Sequence, residues 1–153
     1  MAVRSTSSSK SPQATRVLLV DDNAVGLAAR RLVLEELGYK VTGVTCPVEA
    51  LAVFGKQPFD LVVTDYKMPK MTGRELIRAL RELEPALPII LISGYAETLG
   101  LTEKNTGATE VIAKSANEVQ HLVRAVSRAL ALKVARKPPG AEAPKARRKS
   151  ATS

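Results

Sequence analysis

The chain has very few of the residues on which several kinds of site and fold depend. Among its 153 residues there are one cysteine, one histidine and no tryptophan, and aromatic residues make up 3% of the total. The lone Cys46 cannot form an internal disulfide, and nothing in the chain has the cysteine and histidine spacing of a metal site. The sequence therefore excludes a disulfide-based scaffold and a zinc-binding module.

Long hydrophobic runs are missing as well. No stretch approaches the roughly 18 apolar residues that a membrane span requires, and the first 16 residues contain no apolar segment of the kind found in a secretory signal. A hydrophobic content of 45% with 25% charged residues is typical of a globular protein. We therefore expect a cytoplasmic protein that does not associate with membranes.

The net charge of +8 is located at the two ends of the chain. Residues 16–132 contain 14 basic and 14 acidic side chains, whereas residues 1–15 contribute +2 and residues 133–153 contribute +6. The first segment is rich in Ser and Thr, and the last is rich in Pro, Ala, Lys and Arg without an apolar face. We expect both ends to be disordered and residues 16–132 to form one folded domain.

Between these ends, short apolar runs alternate with helical patterns. The predicted strands cover residues 16–20, 39–44, 60–64, 88–93 and 109–113, and the predicted helices cover residues 24–37, 47–54, 72–83, 96–105 and the segment from residue 115 onward. Several strands are continuously apolar, as in parallel sheets that helices cover on both faces. Capping-box spacing at Thr72–Glu75 and Ser115–Glu118 marks two of the helix starts. The pattern predicts a doubly wound five-stranded parallel α/β sheet with five helices.

Polar side chains follow the strands at the points where they end. Asp21 and Asp22 come directly after the first strand, Asp65 after the third, Ser93 closes the fourth and Lys114 follows the fifth. In open parallel sheets, sites lie outside the carboxyl ends of the strands. We therefore expect three carboxylates, a hydroxyl and an ammonium group to meet at one edge of the sheet.

This set of groups suits phosphoryl transfer. Three crowded carboxylates repel one another unless a cation neutralises them, and oxygen ligands with room for water suit Mg²⁺. A carboxylate can also act as a nucleophile and form an acyl phosphate. The transfer then needs positioning and neutralisation of charge, which a metal ion, a cationic side chain and a hydroxyl donor supply.

Four sequence stretches carry a resemblance to a known family. VLLVDD, VVTDYKMPKMTG, LISGYA and GATEVIAK resemble the corresponding parts of the receiver domain of two-component response regulators. The resemblance extends over residues 16–132, and the D-x-x-M-P-x-M-x-G run from Asp65 to Gly73 is its most specific element. It implies the flavodoxin-like receiver fold, with Asp65 as the phosphoacceptor and a histidine kinase as the phosphodonor.

The resemblance also implies a metal-binding set. Asp22 binds Mg²⁺ directly in such a domain, Asp21 assists directly or through water, and Asp65 and the backbone carbonyl of Lys67 complete the protein ligands. The phosphoryl group then receives a hydrogen bond from Ser93 and pairs with Lys114.

Three further positions are assigned by the resemblance to modulating roles. Gly94 leaves the acyl phosphate accessible, and Lys67 and Tyr95 influence how long the phosphoryl group survives. The chain departs from the usual receiver pattern at Ser115, where proline commonly follows the lysine in a cis peptide, and at Val111, where an aromatic residue is common. We expect a trans peptide before Ser115 and Ser115 as the N-cap of the last helix.

The resulting hypothesis is a single-domain response regulator, not an enzyme, that assists its own phosphorylation and dephosphorylation at Asp65 with Mg²⁺. It would signal through an unidentified downstream protein or as a phosphorelay intermediate. Two alternatives stay open at this point. The basic segment 133–153 could make weak, non-specific contacts with nucleic acid, with the receiver-like part as a control module. An aspartyl-nucleophile hydrolase is the other, although Lys67 stands where such an enzyme carries a second acid.

Overall fold

The computed structural model describes residues 14–94 and 99–136. Five strands form one parallel sheet in the order β2-β1-β3-β4-β5. They are β1 (Arg16–Val20), β2 (Lys40–Val44), β3 (Leu61–Asp65), β4 (Ile89–Ser93) and β5 (Glu110–Ala113). The order places β1 and β3 next to each other at the centre, so the topology reverses between them. The predicted fold class is confirmed.

The described residues contain five helices, which connect and cover the strands. They are α1 (Ala24–Glu36), α2 (Pro47–Phe54), α3 (Gly73–Leu83), α4 (Glu103–Thr106) and α5 (Glu118–Arg136). Helix α5 continues four residues beyond the predicted end of the folded domain at residue 132. None of these helices is long and apolar enough to cross a lipid bilayer.

Alternate residues of each strand pack on opposite faces of the sheet. Leu18 and Val62 belong to the core under α2 and α3, whereas Leu19 and Val63 belong to the core under α1 and α5. All five residues of β3 are buried, and so are all five of β4. The double burial explains why these strands read as continuous apolar runs. The polar end of β3 is therefore held rigidly by apolar packing on both faces.

The helix starts agree with the sequence in one case and differ in another. At α3, Thr72 Oγ1 accepts a hydrogen bond from Glu75 N–H at 3.2 Å, and Thr72 N–H donates to Glu75 Oε1 at 2.9 Å, as predicted. The prediction of Ser115 as the N-cap of the last helix is wrong, because α5 begins at Glu118. Ser115 Oγ instead accepts from the N–H of Asn117, at 3.2 Å. The N–H of Glu118 donates to the Ser115 carbonyl at 3.1 Å, so residues 115–118 form a turn before α5, and the Glu118 carboxylate binds Arg30.

Helix α4 is shorter than the pattern predicted. The prediction began at residue 96, whereas α4 begins at Glu103 and residues 95–98 lie outside the described part of the chain. Thr102 and Asn105 form a reciprocal cap at its start, in which Thr102 Oγ1 accepts from Asn105 N–H at 3.1 Å. Gly107 ends the helix with a φ of 83°, a value that favours glycine.

Candidate functional site

The carboxyl ends of four strands bring the predicted site residues to one edge of the sheet. Asp21 follows β1 directly, and Asp65 and Ser93 are the last residues of β3 and β4. Lys114 follows β5, and its backbone N–H donates to the Ser93 carbonyl at 3.0 Å, which continues the sheet by one residue. Asp21, Asp65 and Ser93 are all buried.

Three carboxylates meet at this edge. Asp21, Asp22 and Asp65 each offer an oxygen, and these oxygens all lie within 4.8 Å of one another. Asp22 is exposed, whereas Asp21 and Asp65 are 1% and 6% exposed. A buried group of hard oxygen donors with an opening to solvent on one side suits Mg²⁺, which retains several water ligands. The donor set therefore fits this ion.

Asp65 lies between a cation and a backbone donor. Lys114 Nζ donates to Asp65 Oδ2 at 3.0 Å, and the N–H of Tyr66 donates to Asp65 Oδ1 at 2.9 Å. Burial raises the pKa of Asp65, whereas the hydrogen bond and the positive charge of Lys114 lower it. Smaller effects come from the charge of Asp21, which raises the pKa, and from the Tyr66 hydrogen bond, which lowers it. The net effect is a pKa above the ordinary aspartate value, so the carboxylate is less stable here than on a free aspartate, and a further cation at the site would stabilise it.

The loop after β3 is fixed by a close approach of two backbone segments. Gly73 N–H donates to the Tyr66 carbonyl at 2.7 Å. A Cβ at Gly73 would lie 2.4 Å from the Asp65 carbonyl oxygen and 2.9 Å from Tyr66 Cα, so only glycine fits. Met68 in this loop is buried, Lys67 is exposed, and Lys70 has a φ of 71°. The first turn of α3 thus holds the backbone of the predicted phosphoacceptor.

The comparisons with known proteins point to one family. Residues 17–127 match the family model of the response regulator receiver domain. The chain belongs to this family. Receiver domains are the phosphoacceptor modules of two-component signalling: they take a phosphoryl group from a histidine kinase onto an aspartate and are not generally enzymes.

Individual relatives agree with the assignment. The chain is 40% identical over 91 residues to the sensor histidine kinase GacS of Pseudomonas protegens, which corresponds to 56% of this chain and 10% of GacS. It is 35% identical over 123 residues to the two-component response regulator ORR1 of Oryza sativa subsp. japonica, over 71% of this chain and 53% of ORR1. The chain thus spans about a tenth of the first relative and about half of the second.

A solved structure shares the fold. The response regulator protein TrrA from Thermotoga maritima, in complex with Mg²⁺–BeF, is 30% identical to this chain with a TM-score of 0.69. The match covers 76% of this chain and 99% of that one. That receiver holds Mg²⁺ together with a beryllium fluoride group.

Two positions at which this receiver departs from the common pattern have ordinary local structure. The Lys114–Ser115 peptide is trans, as expected, since the described residues contain no cis peptide. Val111, where an aromatic residue is common, is partly buried and packs against the core. Lys114 thus reaches Asp65 without a cis bond behind it.

Gly94 and Tyr95 directly follow the end of β4. Gly94 is exposed, and a Cβ added to it would lie 3.8 Å from Lys114 Cδ, in ordinary van der Waals contact. A small side chain at residue 94 would therefore narrow the approach to Lys114. Tyr95 lies outside the described residues, so its predicted modulating role stays a prediction.

Sequence reasoning missed one charged residue at this site. Arg30 of α1 is 7% exposed, and its guanidinium donates to Asp21 Oδ2 from Nη1 and to Glu118 Oε2 from Nε, the latter at 2.6 Å. Burial acts to lower the pKa of Arg30, but Glu118 and then Asp21 raise it to a net value above the ordinary one. The available signal was its position four residues before the buried Leu34 on the inner face of α1.

Proposed function

We propose that Asp65 is the phosphoacceptor of this receiver and that Mg²⁺ binds to Asp21, Asp22, Asp65 and the backbone carbonyl of Lys67. The observation that carries the proposal is the position of the Asp65 carboxylate. It lies within 4.8 Å of two other carboxylates and 3.0 Å from the Lys114 ammonium group, at the carboxyl end of the fully buried strand β3.

The reaction follows from this placement. An Asp65 carboxylate oxygen attacks the phosphorus atom of a phosphohistidine on the kinase, the P–N bond breaks, and the imidazole nitrogen leaves with the bonding electrons. Bound Mg²⁺ would supply positive charge to the phosphoryl oxygens. Lys114 provides a second positive charge, and Ser93 provides a hydroxyl donor next to it. The product is an aspartyl phosphate on Asp65.

The same groups serve removal of the phosphoryl group. Water attacks the phosphorus, and the Asp65 carboxylate is the leaving group, so the domain assists both its own phosphorylation and its own dephosphorylation. In this proposal Gly94 leaves room for that water, and Lys67 and Tyr95 set how readily it approaches. Lys67 is exposed beside a cavity of about 460 Å³ lined by Tyr66, Lys67, Met68, Thr72 and Leu99.

For signalling, we propose that the domain acts as a single receiver in the cytoplasm. A histidine kinase donates the phosphoryl group, and a downstream protein or a further phosphorelay step receives the signal. The support is that the family model accounts for residues 17–127, a range that includes nearly the whole five-stranded sheet.

Intact mass spectrometry tests the chemistry. The protein is incubated with a small acyl-phosphate donor with and without Mg²⁺ and weighed under native-like, neutral conditions. We expect a gain of one phosphoryl group that requires Mg²⁺ and is absent from Asp65→Asn. An equal gain in Asp65→Asn, or no gain in the wild-type protein, would contradict the proposal.

The basic C-terminal segment supports a second candidate, a nucleic-acid-associated regulator. Its charge of +6 over residues 133–153 is the observation in its favour, and residues 137–153 lie outside the described part of the chain. Binding that depends on phosphate contacts weakens steeply with salt. Duplex DNA binding at low salt that disappears on deletion of residues 137–153 would support this candidate, and binding that is absent or insensitive to the deletion would remove it.

A further inference from the structure

Arg30 gives the acidic site a cation of its own. Its guanidinium contacts Asp21 Oδ2 on one side and Glu118 Oε2 on the other, so it lies between the end of β1 and the first turn of α5. The side chain of Arg30 is 8% exposed, that of Asp21 is 1% exposed and that of Glu118 is 17% exposed. Because the contact is largely removed from water, its electrostatic effect is screened little.

Each of the two buried carboxylates at the site is therefore bound by a different cation. Arg30 binds Asp21, and Lys114 binds Asp65, while Asp22 is exposed. The three acids of the cluster carry three negative charges, and Lys114 and Arg30 offset part of that charge, although Arg30 also pairs with Glu118. A divalent ion entering this site meets a smaller net negative charge than three carboxylates alone would present, and it is repelled by both cations.

Local structure accommodates the pair between Arg30 and Asp21. Gly26 lies one turn before Arg30 on α1, and a Cβ there would be 3.1 Å from Asp21 Oδ2 and 3.6 Å from Arg30 Nη1. The other oxygen of Asp21, Oδ1, accepts from the N–H of Asn23 at 2.9 Å. Both oxygens of Asp21 are thus engaged by protein donors, and the absence of a side chain at residue 26 leaves room for the Asp21 carboxylate.

We propose that Arg30 is a positioning residue and resident cation of the acidic site, which weakens Mg²⁺ binding and stabilises the folded site when no metal is bound. The proposal rests on the proposed function, because it assumes that Mg²⁺ binds at these carboxylates. Glu118 sets the strength of the effect, since its carboxylate neutralises part of the charge that Arg30 directs at the site. The link also ties the metal site to α5, 88 residues away in the chain.

Calorimetric titration of Mg²⁺ into the full chain tests the proposal. Replacing Arg30 by Met keeps an unbranched apolar side chain and removes the charge, so we expect the Kd for Mg²⁺ to fall about tenfold. Glu118→Gln leaves Arg30 in place but removes its second partner, so we expect the Kd to rise about twofold to threefold. Arg31→Met is the matched control, because Arg31 is the exposed neighbour on the same helix and pairs with Glu35 one turn further along α1.

Urea unfolding in the presence of a chelator supplies a second measurement. Arg30→Met leaves Asp21 and Glu118 without their shared partner, so it should unfold at a lower urea concentration than Arg31→Met. Because we expect Mg²⁺ to bind this variant more tightly, the same Mg²⁺ concentration should raise its urea midpoint by more than it raises that of the wild-type protein. If Arg30→Met does not fold, Glu118→Gln decides: an unchanged or lower Kd overturns the proposal.

The outcomes separate the two proposals. A wild-type chain that does not bind Mg²⁺ at all would overturn the proposed function and this inference with it. A wild-type chain that binds Mg²⁺ with a Kd that Arg30→Met leaves within twofold of the control, or raises, overturns only the role of Arg30.

Discussion

Lys114 Nζ lies 3.0 Å from Asp65 Oδ2, although 49 residues separate the two in the chain. Their strands, β3 and β5, are not neighbours: each pairs with β4, which lies between them. The lysine therefore reaches across the end of β4, above Ser93, to the carboxylate on the far side. This contact holds an ammonium group beside the carboxylate that accepts the phosphoryl group in the proposed function.

Replacing Lys114 by Met should slow phosphorylation of Asp65. The ammonium group stabilises charge that develops on the phosphoryl oxygens, and loss of one such electrostatic donor commonly costs about a hundredfold in rate. The measurement is the initial rate of phosphoryl gain from a small acyl-phosphate donor, with Lys56→Met as an exposed control. A Lys114→Met rate equal to that of the control would mean that the ion pair serves the fold alone.

Replacing Asp65 by Asn should stabilise the metal-free protein at neutral pH. Burial raises the pKa of Asp65 despite Lys114, so the folded state holds its proton more tightly than the unfolded state does. Stability from this group is fully present below the ordinary aspartate pKa and is lost as the pH rises through the raised value. The Asn side chain cannot ionise, so the Asp65→Asn variant does not lose stability in this way as the pH rises.

Unfolding by urea at several pH values, with a chelator present, measures this difference. The free energy of unfolding of Asp65→Asn should exceed that of the wild-type protein at pH 7, and the gap should close below about pH 4, where aspartate is protonated in both states. A gap that widens toward low pH would show that Lys114, rather than burial, dominates the pKa of Asp65.

Replacing Gly73 by Ala should destabilise the loop that follows Asp65. The added Cβ would be 2.4 Å from the Asp65 carbonyl oxygen, and that backbone would have to move. Forcing extra atoms into a packed site costs about 1–3 kcal/mol, occasionally more. Gly55→Ala is the matched control, because Gly55 has helical backbone angles and a Cβ added to it would lie 3.7 Å from the nearest atoms, which are backbone oxygens. In thermal unfolding we expect a lower Tm for Gly73→Ala and not for Gly55→Ala. An equal Tm for the two variants would refute the steric argument.

Local sequence patterns were sufficient for most of the fold and for the list of site residues. The continuously apolar β3 and β4 predicted strands buried on both faces, and parallel strands place their carboxyl ends together. The meeting of Asp21, Asp65 and Lys114 follows from that geometry. The capping box at Thr72 formed as predicted, because it depends on two residues that are three positions apart in the chain.

The wrong prediction at Ser115 and the omission of Arg30 both involve Glu118, which pairs with a residue far away in the sequence. Ser115 and Glu118 have the same spacing as Thr72 and Glu75, but the Glu118 carboxylate binds Arg30 from a helix 88 residues earlier. A pairing over that distance leaves no periodic signal in the sequence. For the same reason, Arg30 could be flagged only as a charge on an inward face, and its partners Asp21 and Glu118 became visible once α1 and α5 were packed together.

Adding Mg²⁺ should stabilise the wild-type protein, and Asp22→Asn should abolish most of that gain. An ion that binds only the folded state adds about 1.4 kcal/mol when its concentration is ten times its Kd. Asp22 is the exposed member of the three-carboxylate cluster, so its replacement removes a ligand without uncovering a buried charge. The measurement is the Tm with and without Mg²⁺, and Glu36→Gln, at an exposed acid of α1, is the control. Equal Mg²⁺-dependent shifts in Asp22→Asn and the control would place the ion away from these carboxylates.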